Sequence, residues 1–194
     1  MGRTQQERRA ETTARLLDAS IETIIEIGYA RTSAAIIARR AGLSVGALFR
    51  HYPTMGDFMA ATAGEVLRRQ LEAFGKRVAE IPAAEPALPA VLVVLRDITA
   101  GATNAVLYEL MIAARTDEKL CGTLRDALTE YRAKIFEAAG AAPPTAGLPA
   151  ETRAALTALL TNTFDGAAIL RPVLPDPQFE DRKLAVLAEM LERY

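Results

Sequence analysis

The 194-residue sequence contains a single cysteine and a single histidine. One cysteine excludes an internal disulfide framework and a multi-cysteine zinc site. One histidine excludes His–His metal sites and leaves only His51 for a nucleophilic triad. No apolar run reaches the roughly 18–20 residues that a membrane span needs. The amino-terminal Met1-Gly-Arg-Thr-Gln-Gln-Glu-Arg-Arg9 lacks the apolar core of a signal peptide. The expectation is a chain in the reducing cytoplasm with no membrane partner. A G-x-S-x-G elbow, a phosphate-binding glycine loop and an HExxH pair are all missing. Neither an enzyme nor a cofactor is expected.

β-Branched clusters are also scarce. The best strand candidate, Val91-Leu-Val-Val-Leu95, continues into Arg96-Asp97-Ile98 with helical spacing and reads as a buried helix segment. Alanine supplies 38 residues and is the best helix former. The predicted class is all-α.

Lysine is absent from the first 52 residues, which hold eight arginines against five acidic residues, a balance of +3. Residues 53–194 hold fifteen basic and nineteen acidic residues, a balance of −4, and the whole chain carries −1. A basic amino-terminal segment on an acidic remainder suggests an electrostatic footprint at one end, with chance fluctuation as the competing reading.

The local pattern decides between them. From Gln5 to Ile27, apolar residues recur at Ala14, Leu17, Ile21, Ile24 and Ile25 on one helical face, and Gly28 stops the helix. Thr32 or Ser33 can cap a second helix over Ala34–Ala41. Gly42 permits a left-handed turn, and Ser44 can cap a third short helix from Val45 to about Tyr52. Two short helices joined so tightly must cross steeply. Close contact needs a small residue, a turn glycine and an apolar residue, and Ala38, Gly42 and Leu48 supply them. This is helix-turn-helix spacing, with an ordinary αα-hairpin as the alternative.

The run Thr32-Ser-Ala-Ala-Ile-Ile-Ala-Arg-Arg-Ala-Gly-Leu-Ser-Val-Gly-Ala-Leu-Phe-Arg-His-Tyr52 resembles the DNA-binding segment of TetR-type transcriptional regulators, with a match from about Thr12 to Phe58. The resemblance implies a homodimeric, ligand-responsive repressor on a palindromic, double-stranded DNA operator. It also implies an amino-terminal three-helix helix-turn-helix domain, residues 1–52, and a larger helical effector-binding and dimerisation domain, residues 53–194.

By the same resemblance, Val45, Gly46, Ala47 and Arg50 face the groove. Arg50 is the candidate base reader, since a guanidinium bonds a guanine edge in bidentate fashion, and a phosphate contact is its alternative. Gly46 permits close backbone approach. Ser44, Thr32, Ser33 and Thr54 suit phosphates or plain capping. His51 stands at the family's usual histidine, a candidate phosphate contact. Arg39 and Arg40 are candidates for screening backbone charge, or form an exposed face. Three residues depart from the family pattern: Phe49 replaces a tyrosine, Tyr52 a phenylalanine and Met55 a lysine. A phosphate cation is thereby lost, and the hydroxyl missing at Phe49 is expected to have moved to Tyr52. Arg3, Arg8 and Arg9 are expected to support binding from an amino-terminal arm.

Further helices are predicted from Asp57 to about Ile81 and at 88–101, 103–115, 118–139, 150–172 and 178–193. Pro82, Pro86 and Pro89 are assigned to a loop, as is the Pro/Gly/Ala stretch at 140–149. The resemblance implies dimerisation through the last two helices. Asn104, Tyr108, Arg115, Asn162 and Asp165 are polar residues in apolar helices and thus effector-site candidates. Met59, Leu107, Met111, Phe136 and Phe164 are candidates for an apolar wall. Ordinary core packing is the competing reading for each. Cys121 reads as an inert thiol. The rival function is a helical dimeric interaction or sensor protein with weak or lost DNA binding. An effector that activates is a further possibility.

Overall fold

A computed structural model describes residues 4–82, 84–141 and 147–192. Among these residues there are nine α-helices and no strand. The helices are α1 (Gln5–Ile27), α2 (Ala34–Arg40), α3 (Val45–His51), α4 (Met55–Ala79), α5 (Ala87–Thr99), α6 (Ala102–Ala114), α7 (Glu118–Ala141), α8 (Ala150–Leu170) and α9 (Pro177–Glu192). A 3-10 turn at Tyr29–Arg31 follows α1. The Val91–Leu95 run lies within α5, as its spacing predicts. Of the 140–149 stretch, residues 142–146 lie outside the described residues, and α7 extends to Ala141.

Local chemistry sets these boundaries. A capping box opens α1: Glu7 N–H donates to Thr4 Oγ1 at 3.2 Å, and Thr4 N–H donates to the Glu7 carboxylate at 2.7 Å. Gly28 ends α1 with φ +80°, a conformation that other residues rarely adopt. Pro177 opens α9, where its missing N–H and fixed φ suit the first helical position. For Pro89 the predicted helix at 88–101 holds and the loop assignment does not. It sits in the first turn of α5 instead of the preceding loop, because an amide there needs no helical partner.

The chain forms two compact units. The first comprises residues 1–68 and 102–130. Leu16, Ile24, Ile37, Leu48, Phe58, Met59, Val66, Val106, Leu110 and Leu120 are fully buried there. The buried face of α1 is rotated from the predicted one. Leu17, Ile21 and Ile24 are inside, but Ala14 and Ile25 are exposed, and Leu16, Ser20 and Thr23 are buried instead. The buried hydroxyls are satisfied: Thr62 Oγ1 donates to the Phe58 carbonyl at 2.9 Å and lies 3.0 Å from Ser20 Oγ.

The second unit comprises residues 69–101 and 131–194. Its core joins Leu92 of α5, Phe164 of α8, and Leu184 and Ala188 of α9. The Tyr131 hydroxyl donates to Gln70 at 2.6 Å, and burial, then the charge of Asp165, pushes its pKa far up. Arg96 holds Asp97 and Asp181, Arg77 also holds Asp97, and Glu180 is paired with Arg171 and Lys183.

Burial opposes ionisation of Asp97 and Glu180, but their cationic partners prevail and hold both carboxyls below the usual carboxylate range. A depressed folded-state pKa contributes stability above the unfolded value of about 4, and that stability is lost as pH falls through the folded value. Asp97→Asn and Glu180→Gln are therefore expected to flatten the acid limb of a stability–pH curve measured by urea unfolding. The effect should stay under about 1 kcal/mol each, because these pairs are partly solvated.

Candidate nucleic-acid interface

The helices around the predicted turn are capped as their sequence suggests. Ser33 Oγ accepts from Ile36 N–H at 3.4 Å and Ser44 Oγ accepts from Ala47 N–H at 3.1 Å. Between them Gly42 adopts φ +64°, and Leu43 N–H donates to the Ala38 carbonyl at 2.8 Å. Ala38 and Leu48 are both buried, and α2 packs on α3.

With Leu48 inside, α3 turns its other side outward. Val45 and Phe49 are 38% and 40% exposed, and Gly46 and Arg50 lie in the same exposed stripe. Ala47 is partly buried. A Cβ on Gly46 would meet only Ser44 Oγ, at 3.9 Å, so this stretch of backbone is open to a close neighbour. Among the described residues no carboxylate pairs with Arg50 or Arg39. A short helix thus presents a guanidinium, a bare backbone and two apolar side chains, a set that suits a guanine edge, a phosphate-lined groove and thymine methyls.

Residues 16–62 match the family of bacterial regulatory proteins named tetR. An uncharacterised HTH-type transcriptional regulator of Mycobacterium bovis is 66% identical over 191 residues, covering 98% of both chains. An uncharacterised HTH-type regulator of Mycobacterium tuberculosis matches equally. The chain belongs to the TetR family. Solved structures share the fold. The multidrug binding protein EbrR, complexed with imidazole, has a TM-score of 0.66 at 23% identity, covering 90% of this chain and 93% of that one. A TetR transcription regulator from Haloarcula marismortui has a TM-score of 0.62 at 20% identity, covering 95% of this chain and 96% of that one. The TetR-family chain is a DNA-binding transcriptional regulator, as its relatives are, and not an enzyme. Among its described residues no single helix is long and apolar enough to cross a membrane.

The remaining DNA-site candidates of this TetR-family regulator also have internal partners. Thr32 Oγ1 donates to the Gly28 carbonyl at 2.9 Å. Thr54 forms a capping box with Asp57. Its N–H and hydroxyl donate to the carboxylate at 3.0 and 2.7 Å, and Asp57 N–H donates back to Thr54 Oγ1 at 3.2 Å. His51 is partly buried, with Nδ1 3.5 Å from Thr13 Oγ1. The Tyr52 ring stands 4.9 Å from that of Phe58. Burial raises its phenol pKa, and a hydrogen bond with Thr13 opposes the rise. The Tyr52 phenol thus faces Thr13 of α1.

Sequence reasoning missed several supports of this site. Arg15 Nη2 donates to the Ala41 carbonyl at 2.5 Å and stands 3.0 Å from where a Cβ on Gly42 would sit. Gly42 is thus required for its φ, and any side chain there would press on the Arg15 guanidinium. Arg40 of α2 pairs with Glu22, at 3.5 Å, and with Glu26, both on α1. Arg40 therefore ties two helices together, leaving Arg39 as the unpaired cation of that pair. Glu109 of α6 accepts from Tyr29 N–H, and its carboxylate lies 3.3 Å from where a Cβ on Gly28 would stand.

The effector-site candidates divide between the units. Asn104 and Tyr108 of α6 are buried in the first unit, and both are engaged there. Met111 is partly buried and Arg115 is exposed beyond the end of α6. On α8, in the second unit, Phe164 is a core residue whereas Asn162 is exposed. Met59 and Leu107 are buried in the first unit and Phe136 is partly buried in the second. Cys121 is partly buried, with Arg125 Nη2 3.8 Å from its sulfur.

Two outcomes test the face of α3. Arg50→Ala is expected to leave the fold intact but to abolish sequence preference in an anisotropy titration, a loss of about 1–3 kcal/mol of discrimination. Gly46→Ala, which meets open space within the protein, is expected to leave thermal stability equal or higher while operator affinity falls.

Proposed function

We propose that this regulator is a cytoplasmic, homodimeric repressor that leaves a palindromic operator when a small, mainly apolar effector binds. Residues 1–52 read DNA, and residues 53–194 take up the effector and form the dimer. The observation that carries the reading is the stripe of Val45, Gly46, Phe49 and Arg50, held outward by a buried Leu48. In the DNA-bound state Ser44, Thr32, Ser33 and Thr54 bring hydroxyls to the backbone, and His51 brings its second ring nitrogen.

Two half-sites about one helical turn apart require a two-fold protein. The helices α8 and α9 have a suitable surface. Opposite the core side chains Phe164, Leu184 and Ala188 they expose Leu159 (55%), Ile169 (46%), Leu170 (57%) and Met190 (59%). An apolar surface of this kind marks an association site. The effector, bound against Asn104, Tyr108, Met111 and Arg115 at α6 in the first unit, shifts α4 and alters the separation of the recognition helices. It moves the equilibrium only by its difference in affinity for the two conformations.

Salt-dependent titration against the DNA upstream of the regulator's own gene tests the reading. Sequence-specific binding by a dimer is expected. Absence of binding at every salt concentration would favour an interaction protein instead, a rival supported by the uncharged Met55. Leu159→Glu is expected to give a monomer by sedimentation with helicity retained, and to weaken operator binding by roughly 100-fold.

A further inference from the structure

The first unit brings a segment far along the sequence to both ends of the helix-turn-helix. Where the chain enters it, Glu109 of α6 bonds Tyr29 N–H, and the charge of Asp117 acts on the Tyr29 phenol, adding to the effect of burial. Where the chain leaves it, Lys119 of α7 lies against the first turn of α4. Its Cγ is 4.0 Å from the point where a Cβ on Gly56 would stand, and Thr54 Oγ1 is 3.7 Å from the same point. The lysine stem thus passes the bare backbone of Gly56, in the first turn of α4, with Tyr52, Pro53 and Thr54 between that helix and α3.

The charge at Lys119 is available. The residue is exposed, and among the described residues no carboxylate pairs with it. The nearby carboxylates are committed elsewhere. Asp117 accepts from Leu120 N–H at 2.9 Å, and Asp57 closes the Thr54 capping box. Close to α3, Met55 supplies no charge and Arg40 is neutralised by α1. A lysine with no paired carboxylate among the described residues therefore lies against the turn of α4 that follows α3 in the chain.

We propose that Lys119 binds a DNA backbone phosphate, adding from α7 a cation to those of the helix-turn-helix. This rests on the reading of α3 as the groove-binding helix. A phosphate contact acts without regard to sequence, and its signature is the dependence of affinity on salt.

The test compares wild type, Lys119→Met and Lys119→Arg by fluorescence anisotropy between 50 and 200 mM salt. The probes are a duplex selected by the wild-type protein from a random library and an unselected duplex of the same length. Lys119→Met keeps the stem on Gly56 and removes the charge. It is expected to flatten the log–log salt slope by about 0.9 for each subunit's lost contact, with an unchanged affinity ratio between the probes and unchanged thermal unfolding. Lys119→Arg is expected to retain the wild-type slope. If wild type binds both probes and Lys119→Met has the same slope, Lys119 only packs and the proposal is overturned. If wild type binds neither probe, the groove-binding reading fails, and this proposal with it.

Discussion

What α3 can offer to a groove depends on the burial of Leu48. A seven-residue helix is too short to persist alone in water, because its few hydrogen bonds do not repay nucleation. Burying one leucine side chain contributes about 1.5–3 kcal/mol, comparable to what such a helix lacks. The same burial fixes rotation. Once Leu48 points inward, Val45, Gly46, Phe49 and Arg50 point outward. Gly42 makes this placement possible, since the turn needs a positive φ. The buried face of α3 and the face proposed to read DNA are therefore opposite sides of one helix, and a change at Gly42 would disturb both.

Charge follows a similar division. The net +3 of the first 52 residues overstates what faces DNA. Arg15 is directed at the Ala41 carbonyl, Arg31 bonds the Ile27 carbonyl, and Arg40 is held by Glu22 and Glu26. These arginines tie α1 to the reading helices or close chain ends, and partly exposed pairs of this kind contribute modest stability individually. Their geometric effect is greater, since three contacts from α1 leave α2 little freedom to pivot. Arg8, Arg9, Arg39 and Arg50 remain outward.

Much of this was legible in the sequence because it is local. Ser33, Ser44 and Thr54 cap helices three residues ahead of their partners, and Gly28 and Gly42 need only their own backbone angles. The amphipathic spacing marks every helix to within a turn. What escaped depends on distant partners. Nothing near Arg15 announces a carbonyl 26 residues away, and nothing near Gly28 announces the carboxylate of Glu109. The face of α1 was misjudged because Ser20 and Thr23 look polar, yet are buried with their hydroxyls satisfied by Thr62 and by the Ala19 carbonyl. For the effector candidates, composition identified polar residues in apolar helices. It could not reveal that Asn162 lies outward while Phe164 is core, or that α6 and α8 belong to different packing units.

That division bears on the proposed response to an effector. The helix α6 packs in the same unit as α1, α2 and α3, and it carries buried Asn104 and Tyr108 next to Glu109. Glu109 bonds the amide at the point where α1 gives way to the helix-turn-helix. A displacement of α6 that broke this bond would leave a carboxylate and a part-buried amide to find new partners, at a cost of about 1–3 kcal/mol. Coupling between regulatory sites is typically of that size. A movement of α6 need not be relayed through α4, because its own side chain already holds the residue from which α2 and α3 are hung.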